Sequence, residues 1–263
     1  MRVIECTHPD EAAELVAQDI LSALSKKPDL VLGLATGSTP IGIYERLVRA
    51  RQQDGVDFSR VRTFNLDEYI GLSAEHPQSY RMFMREHLFD GIGLAPEQSR
   101  FPPTDDHDLQ SACAAFETAI RDAGGIDIQI LGIGANGHIG FNEPTSSLAS
   151  RTRVKTLTDK TLHDNARFYG EGEVQPQLAT TMGIGTILDA KRIVLQAFGT
   201  KKAQAVRASV EGPISSFCPA SALQMHPSVT MFVDPASASM LTMRDYYRRV
   251  RENERGLDEL GFR

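Results

Sequence analysis

Short apolar runs of strand character recur along the chain, and each gives way to a polar loop and then an amphipathic stretch. Residues 30–34 lead into Gly37-Ser38-Thr39-Pro40 and an expected helix over 41–51. Residues 61–64 lead into Asn65-Leu66-Asp67-Glu68, and 126–131 into a glycine-rich loop. Residues 193–197 lead into Phe198-Gly199-Thr200-Lys201-Lys202 and another helix, and 229–233 into Asp234-Pro235. The first residues read as a strand and then a helix, and His76-Pro77-Gln78-Ser79-Tyr80 as the entry to a helix over 80–87. Strand, polar loop and helix in repetition predict an α/β fold with a mostly parallel sheet. Ligands of such sheets bind outside the carboxyl ends of the strands, where every one of these polar clusters falls. With no internal repeat, low-complexity tract or Pro/Ser linker, residues 1–263 are expected to form a single domain.

The loop after 126–131 carries the strongest chemical signal. Gly132, Gly134, Gly137 and Gly140 permit sharp turns and close approach of a ligand, and they frame Asn136, His138 and Glu143. An imidazole and a carboxylate on such a loop suit proton transfer. The stretch from Gly132 to Gly137 also spells G-x-G-x-x-G, but a dinucleotide site needs a helix opening at the third glycine. Gly140 and Pro144 follow too soon for that, and a tight structural turn with an incidental histidine is the plain alternative. Ala35-Thr36-Gly37-Ser38-Thr39-Pro40 resembles an anion cradle at a helix start, with helix capping as its ordinary role. It lacks the spacing and lysine of a Walker A loop. Asp67, directly after a strand, could be a general base, a metal ligand or a cap.

Composition narrows the partners. The chain has 263 residues, 41% of them hydrophobic, enough for a sizeable core. A formal charge of −6 argues against nucleic acid as the main partner. No apolar run approaches the ~20 residues of a membrane span. Cys6, Cys113 and Cys218 are odd in number and lack C-x-x-C spacing, so neither disulfides nor a thiolate metal site is expected. A reducing cytoplasm is the simplest compartment.

Six motifs in order give a resemblance that covers nearly the whole chain and fades in the last ~20 residues. L-G-L-A-T-G-S-T-P, F-N-L-D-E-Y, H-P-Q-S-Y, G-I-G-A-N-G-H-I-G-F-N-E-P, S-S-L-A-S-R-T-R and L-D-A-K-R-I-V-L together resemble the glucosamine-6-phosphate deaminase family. The resemblance implies a Rossmann-like, doubly wound α/β fold with a mobile lid at about 153–182. It implies conversion of glucosamine 6-phosphate and water to fructose 6-phosphate and ammonium, without metal or organic cofactor. Carried over by position, it puts the enolisation base on Asp67, the ring-opening imidazole on His138 and a supporting carboxylate on Glu143. The phosphate site falls on Thr36, Gly37, Ser38 and Thr39, with Arg167 and Lys202 opposite. It also implies a homo-oligomer, a hexamer in much of the family. An N-acetylglucosamine 6-phosphate effector site would fall on Ser146, Arg153 and Lys155, although its completing tyrosine does not align near Asp245-Tyr246-Tyr247.

One position departs from the pattern. Members with an allosteric switch carry aspartate where this chain has Asn136, so an anion near His138 is replaced by an amide, which should favour imidazolium less. Two other activities fit parts of the motif set. A 6-phosphogluconolactonase-like lactone hydrolase would keep the cradle and the histidine but have less need of Asp67. A non-catalytic sugar-phosphate sensor would keep the cradle and lose the acid–base set. This chain keeps both sets.

Overall fold

A computed structural model describes residues 1–105, 107–158 and 175–259. In chain order the elements are β1 (Arg2–Glu5), α1 (Pro9–Lys26), β2 (Val31–Leu34), α2 (Ile41–Asp54), β3 (Arg62–Asn65) and β4 (Asp67–Tyr69). Next come α3 (Tyr80–Met84), β5 (Ser99–Arg100), α4 (Leu109–Asp122), β6 (Ile128–Gly132), β7 (Arg153–Thr156) and β8 (Leu178–Thr181). The chain continues through α5 (Ile184–Leu188), β9 (Arg192–Ala197), α6 (Ala203–Val210), β10 (Val229–Val233) and α7 (Arg244–Glu259). Seven strands form a parallel sheet in the order β1-β10-β9-β6-β2-β3-β5.

Helices cover both faces, the doubly wound α/β arrangement. Alternate strand residues explain this: Leu32, Leu34, Ile128 and Ile130 pack toward α1 and α2 with Val16, Ile20, Ile43 and Leu47. Val31, Leu131, Leu195 and Met231 pack the other way, with Phe116 and Ile120 of α4 and Val206 of α6. Strands buried on both faces carry near-continuous aliphatic runs, which is why their existence is readable from the sequence.

The ends of elements differ from the expected ones for identifiable reasons. β6 begins at Ile128 rather than at 126 because Asp127 is drawn into a polar clamp at the amino end of the sheet. Its carboxylate accepts from Val31 N and Lys27 Nζ at 2.8 Å each and from Lys191 Nζ at 2.7 Å. α2 runs three residues past 51 and stops where Gly55 adopts φ 67°, a left-handed helix end. Helical backbone after Tyr80 continues past 87 through a wide π-type turn (Arg85–Phe89) to Asp90–Ile92.

The sheet order places the functional region. From β2 the chain steps outward to β3 and β5, then crosses back to lay β6 on the other side of β2 and continues to β9 and β10. The order therefore reverses between β2 and β6, the crevice where doubly wound sheets bind ligands. A second, antiparallel sheet, β4-β8-β7, stands beside that crevice. It holds both ends of the segment expected as a lid: 153–156 and 178–181 are paired strands, while 159–174 lie outside the described residues.

Candidate active site

Adjacent strands β3, β2, β6 and β9 end in the loops that carry Asp67, Thr36–Thr39, His138 and Lys202, so the topology gathers four separate sequence motifs at one crevice. After β6 the chain does not open into a helix; it folds into successive turns, so the G-x-G-x-x-G stretch is no dinucleotide fingerprint here. Gly134 N donates to His138 O at 2.9 Å and Gly137 N to Gly134 O at 3.0 Å, closing a compact loop around the imidazole. Gly134 must lack a side chain, because a Cβ there would lie 2.3 Å from the His138 ring.

His138, Asn136 and Glu143 form one hydrogen-bonded unit. Glu143 is buried, with Oε1 3.4 Å from His138 Nδ1 and Oε2 accepting from Asn136 Nδ2 at 2.7 Å. Thr158 Oγ1 also donates to Oε1, at 3.3 Å. Asn136 reaches the backbone of His138 rather than its ring, accepting from His138 N at 3.2 Å. Asn136 therefore bears on the imidazole through Glu143, its amide bonding the carboxylate that lies beside the ring. Just beyond, Thr145 holds φ 76°, costly for a β-branched residue, and is fixed by donating its N–H to Ser216 O at 2.8 Å.

The adjacent acids Asp67 and Glu68 have different employments. Glu68 caps the start of α3: it accepts from the N–H groups of Tyr80 at 3.0 Å and Arg81 at 2.9 Å, and from its own neighbour Tyr69 at 2.9 Å. Anions at a helix N-terminus are favoured by its orphan donors and dipole, yet burial still pushes the Glu68 carboxyl upward. Asp67 takes no part in that cap. Burial, with the Glu68 charge adding to it, pushes its pKa up to about 8, against the opposing pull of a bond from the Phe141 N–H. A carboxylate held so far above its usual range, facing a crevice, has the basicity asked of a general base.

The cradle is an open donor site. Gly37 adopts φ 92° and is exposed together with Ser38. The first backbone bonds of α2 run from Ile43 and Tyr44 to Pro40 O, and no acceptor among the described residues takes the N–H groups of Gly37, Ser38 or Thr39. Free donors just ahead of a 14-residue helix are what an anion site needs. From the opposite side, Lys202 Nζ donates to Ile133 O at 2.6 Å, which ties the ammonium to the root of the glycine loop. Arg167 lies outside the described residues. Arg153 and Lys155 alternate onto one face of β7, and the Ser146 hydroxyl is buried without a partner among the described residues.

Several residues at the site carry no sequence signal of their role, even where they lie in a visible motif. Tyr80 packs against Tyr69 and Phe141 with ring centroids 4.9 and 6.0 Å away, and its hydroxyl bonds Thr36 and Tyr69. Thr181 and Asn142 tie the glycine loop to the small sheet: Phe141 N donates to Thr181 Oγ1 at 3.2 Å, and Asn142 Nδ2 to Met182 O at 2.8 Å. The motif containing Asn142 is visible, but its partners come from strands about 40 residues downstream, and no spacing rule finds those.

Known proteins resemble this chain over most of its length. The profile of the family described as glucosamine-6-phosphate isomerases/6-phosphogluconolactonase matches residues 7–232. A glucosamine-6-phosphate deaminase of Hahella chejuensis is 58% identical over 250 residues, covering 95% of each chain. One from Shewanella loihica is 56% identical over 250 residues, 95% of this chain and 93% of the relative. A solved structure of a monomeric glucosamine-6-phosphate deaminase superposes with TM-score 0.87 at 44% identity, covering 91% of this chain and all of the other. On this likeness, spanning nearly the whole chain, the protein belongs to the glucosamine-6-phosphate deaminase family.

Proposed function

We propose that this crevice converts glucosamine 6-phosphate and water to fructose 6-phosphate and ammonium, with Asp67 as the base. The observation that carries the reading is an open donor cradle after β2 beside a buried carboxyl of raised pKa after the adjacent β3. A lactone hydrolase has less need of a base so tuned, and a non-catalytic sensor has none.

The chemistry divides among the residues as follows. His138, partly exposed and backed by Glu143, exchanges protons at the ring oxygen and the anomeric hydroxyl, which opens the pyranose to an aldehyde. Asp67 takes the C2 proton while the C1 oxygen gains one, giving an enol-amine. Return of the proton to C1 leaves an imine at C2, water adds there, and ammonia departs to leave the ketose. The phosphate, on the N–H groups of Gly37, Ser38 and Thr39 with the hydroxyl of Thr36, Lys202 and Arg167, forms no new bond. Its binding energy positions C1 and C2.

Three finer readings complete the proposal. Ser146, Arg153 and Lys155 would take N-acetylglucosamine 6-phosphate as effector, the chain would act as a homo-oligomer, and it would work in the cytoplasm. The first is supported by the Arg153 guanidinium, half-buried with no carboxylate partner among the described residues. No helix of the described residues is long and apolar enough to cross a membrane, which fits the last. The activity is tested by mixing the purified chain with glucosamine 6-phosphate or with 6-phosphogluconolactone. Ammonium from the first and no acceleration of the second is the expected result; the reverse pattern would favour the hydrolase.

Two expectations follow for individual residues. Lys202→Met removes a charge-assisted contact of about 1.5–3 kcal/mol, so KM for glucosamine 6-phosphate should rise ~10–100-fold. Affinity for unphosphorylated glucosamine should change far less, and equal losses for both sugars would refute a phosphate role. Asn136→Asp sets a second carboxyl against Glu143, where Nδ2 and Oε2 now lie 2.7 Å apart. Such a pair retains a proton to higher pH. Because the mechanism needs Glu143 as an anion as well as Asp67, the fall in rate on the acid side of the Asp67 inflection should steepen at a higher pH than in the wild type. A superimposable profile from a folded, active variant would show that Asn136 does not tune the unit.

A further inference from the structure

Asp67 on β4, Thr181 on β8 and Arg153 on β7 are direct cross-strand neighbours in the small sheet, Asp67 opposite Thr181 and Thr181 opposite Arg153. Directly paired residues share a face. The glycine loop crosses that face one residue at a time. Gly140 lies against the first two positions: a Cβ there would be 3.2 Å from Asp67 Oδ2 and 3.0 Å from Thr181 Oγ1. Phe141 N donates to Thr181 Oγ1 at 3.2 Å. Asn142 Oδ1 then accepts from Arg153 Nη1 at 2.9 Å.

The outer end of this row is rigid on both sides. Asn142 is fully buried, and its amide donates to Ile139 O at 2.9 Å and Met182 O at 2.8 Å, so each hydrogen-bonding atom of the side chain is engaged. The strand carrying Arg153 is pinned by buried Glu117, whose Oε1 accepts from Thr152 N at 2.9 Å, Thr152 Oγ1 at 2.5 Å and Thr186 Oγ1 at 2.6 Å. Arg153 itself is a half-buried cation whose burial lowers its pKa, with no carboxylate among the described residues to offset the desolvation. Burying a charge without an ion-pair partner is costly. Here the guanidinium is applied to a neutral amide in the loop that carries His138.

We propose that Thr181 and Arg153 are positioning residues that set the register of the His138 loop against Asp67. The inference rests on the assignment of Asp67 and His138 made above. Thr181 holds the loop backbone beside Gly140, and Arg153 acts through Asn142 two residues farther on. Neither touches the reacting atoms. Their removal lets the loop shift relative to the base, and a displacement of about 1 Å in a catalytic arrangement costs on the order of 10²-fold in rate.

The test compares Thr181→Val, Thr181→Ser, Arg153→Met and Arg153→Lys with Asp67→Asn in the ammonium-release assay, with melting temperatures measured alongside. Valine and methionine should lower kcat by ~10–100-fold while KM stays within about threefold. Serine keeps the hydroxyl and lysine keeps a donor for Asn142, so both should recover most of the loss. The double Thr181→Val/Arg153→Met variant should lose less than the product of the single effects, because both residues hold one loop. Wild-type kcat in Thr181→Val or Arg153→Met, beside a crippled Asp67→Asn, would overturn the positioning role and leave the base assignment standing. A loss confined to KM, or one equally deep in the serine and lysine variants, would overturn it too. Normal turnover in Asp67→Asn would instead overturn the base assignment and this inference with it.

Discussion

Replacing Asp67 by asparagine should lower turnover by ~10²–10⁴-fold, as loss of a general base does, and should at the same time make the protein harder to unfold. The two effects have one cause. The Asp67 carboxyl is buried beside Glu68 and titrates at about 8 when folded, against about 3.9 for an unfolded aspartate. Its folded value is raised, so its contribution to stability is greatest below the unfolded pKa and is lost as pH rises toward 8. Above that the fold carries a desolvated carboxylate. An amide has nothing to ionise, so the stabilisation by Asp67→Asn should be larger at pH 8.5 than at pH 5. Wild-type turnover per mole, limited by the base form, should climb as pH rises through about 8. Melting curves at the two pH values and a kcat profile measure all of this. A variant that is inactive yet equally or less stable at pH 8.5 would mean that Asp67 is not the strained group described.

Gly134→Ala should be nearly as damaging to turnover for a different reason. Its backbone is not in the left-handed region, so alanine meets no conformational penalty there. The methyl group would instead collide with the imidazole, the three nearest atoms being His138 ring atoms at 2.3–2.4 Å. The ring is partly exposed and can swing away, which keeps the stability cost small and removes the proton-transfer group from its place beside Glu143. Turnover should fall ~10²-fold or more with the melting temperature little changed. Chemical-shift changes should centre on the His138 ring. Full activity would mean that the observed ring position is not the working one.

These two residues show what the sequence discloses and what it withholds. Gly134, His138, Asn136 and Glu143 lie within ten residues, and local chemistry is enough to connect them. The strands are legible because burial on both faces of a parallel sheet forces aliphatic runs, as in Val31–Leu34 and Val229–Val233. Asp67 and Glu68 are a harder case. Their types are plain, but which caps and which reacts depends on where Tyr80 and Arg81 present their N–H groups, and that is a tertiary fact. The small sheet was invisible for a stronger reason: β4 spans three residues and β7 alternates half-buried with exposed positions. Elements so short carry no reliable period. The row Asp67–Thr181–Arg153 joins Asp67 to a strand more than 100 residues downstream and Thr181 to Arg153 across the segment between β7 and β8, and so Arg153 could be read from sequence only through the family pattern.

The most direct test of the central claim follows glucosamine 6-phosphate carrying deuterium at C2 through the purified enzyme. The account predicts ammonium and fructose 6-phosphate in equal amounts, with deuterium gone from C2, a slower reaction than with the unlabelled sugar, and both products abolished together in Asp67→Asn. Absence of ammonium, or a deaminated aldose still carrying deuterium at C2, would contradict it.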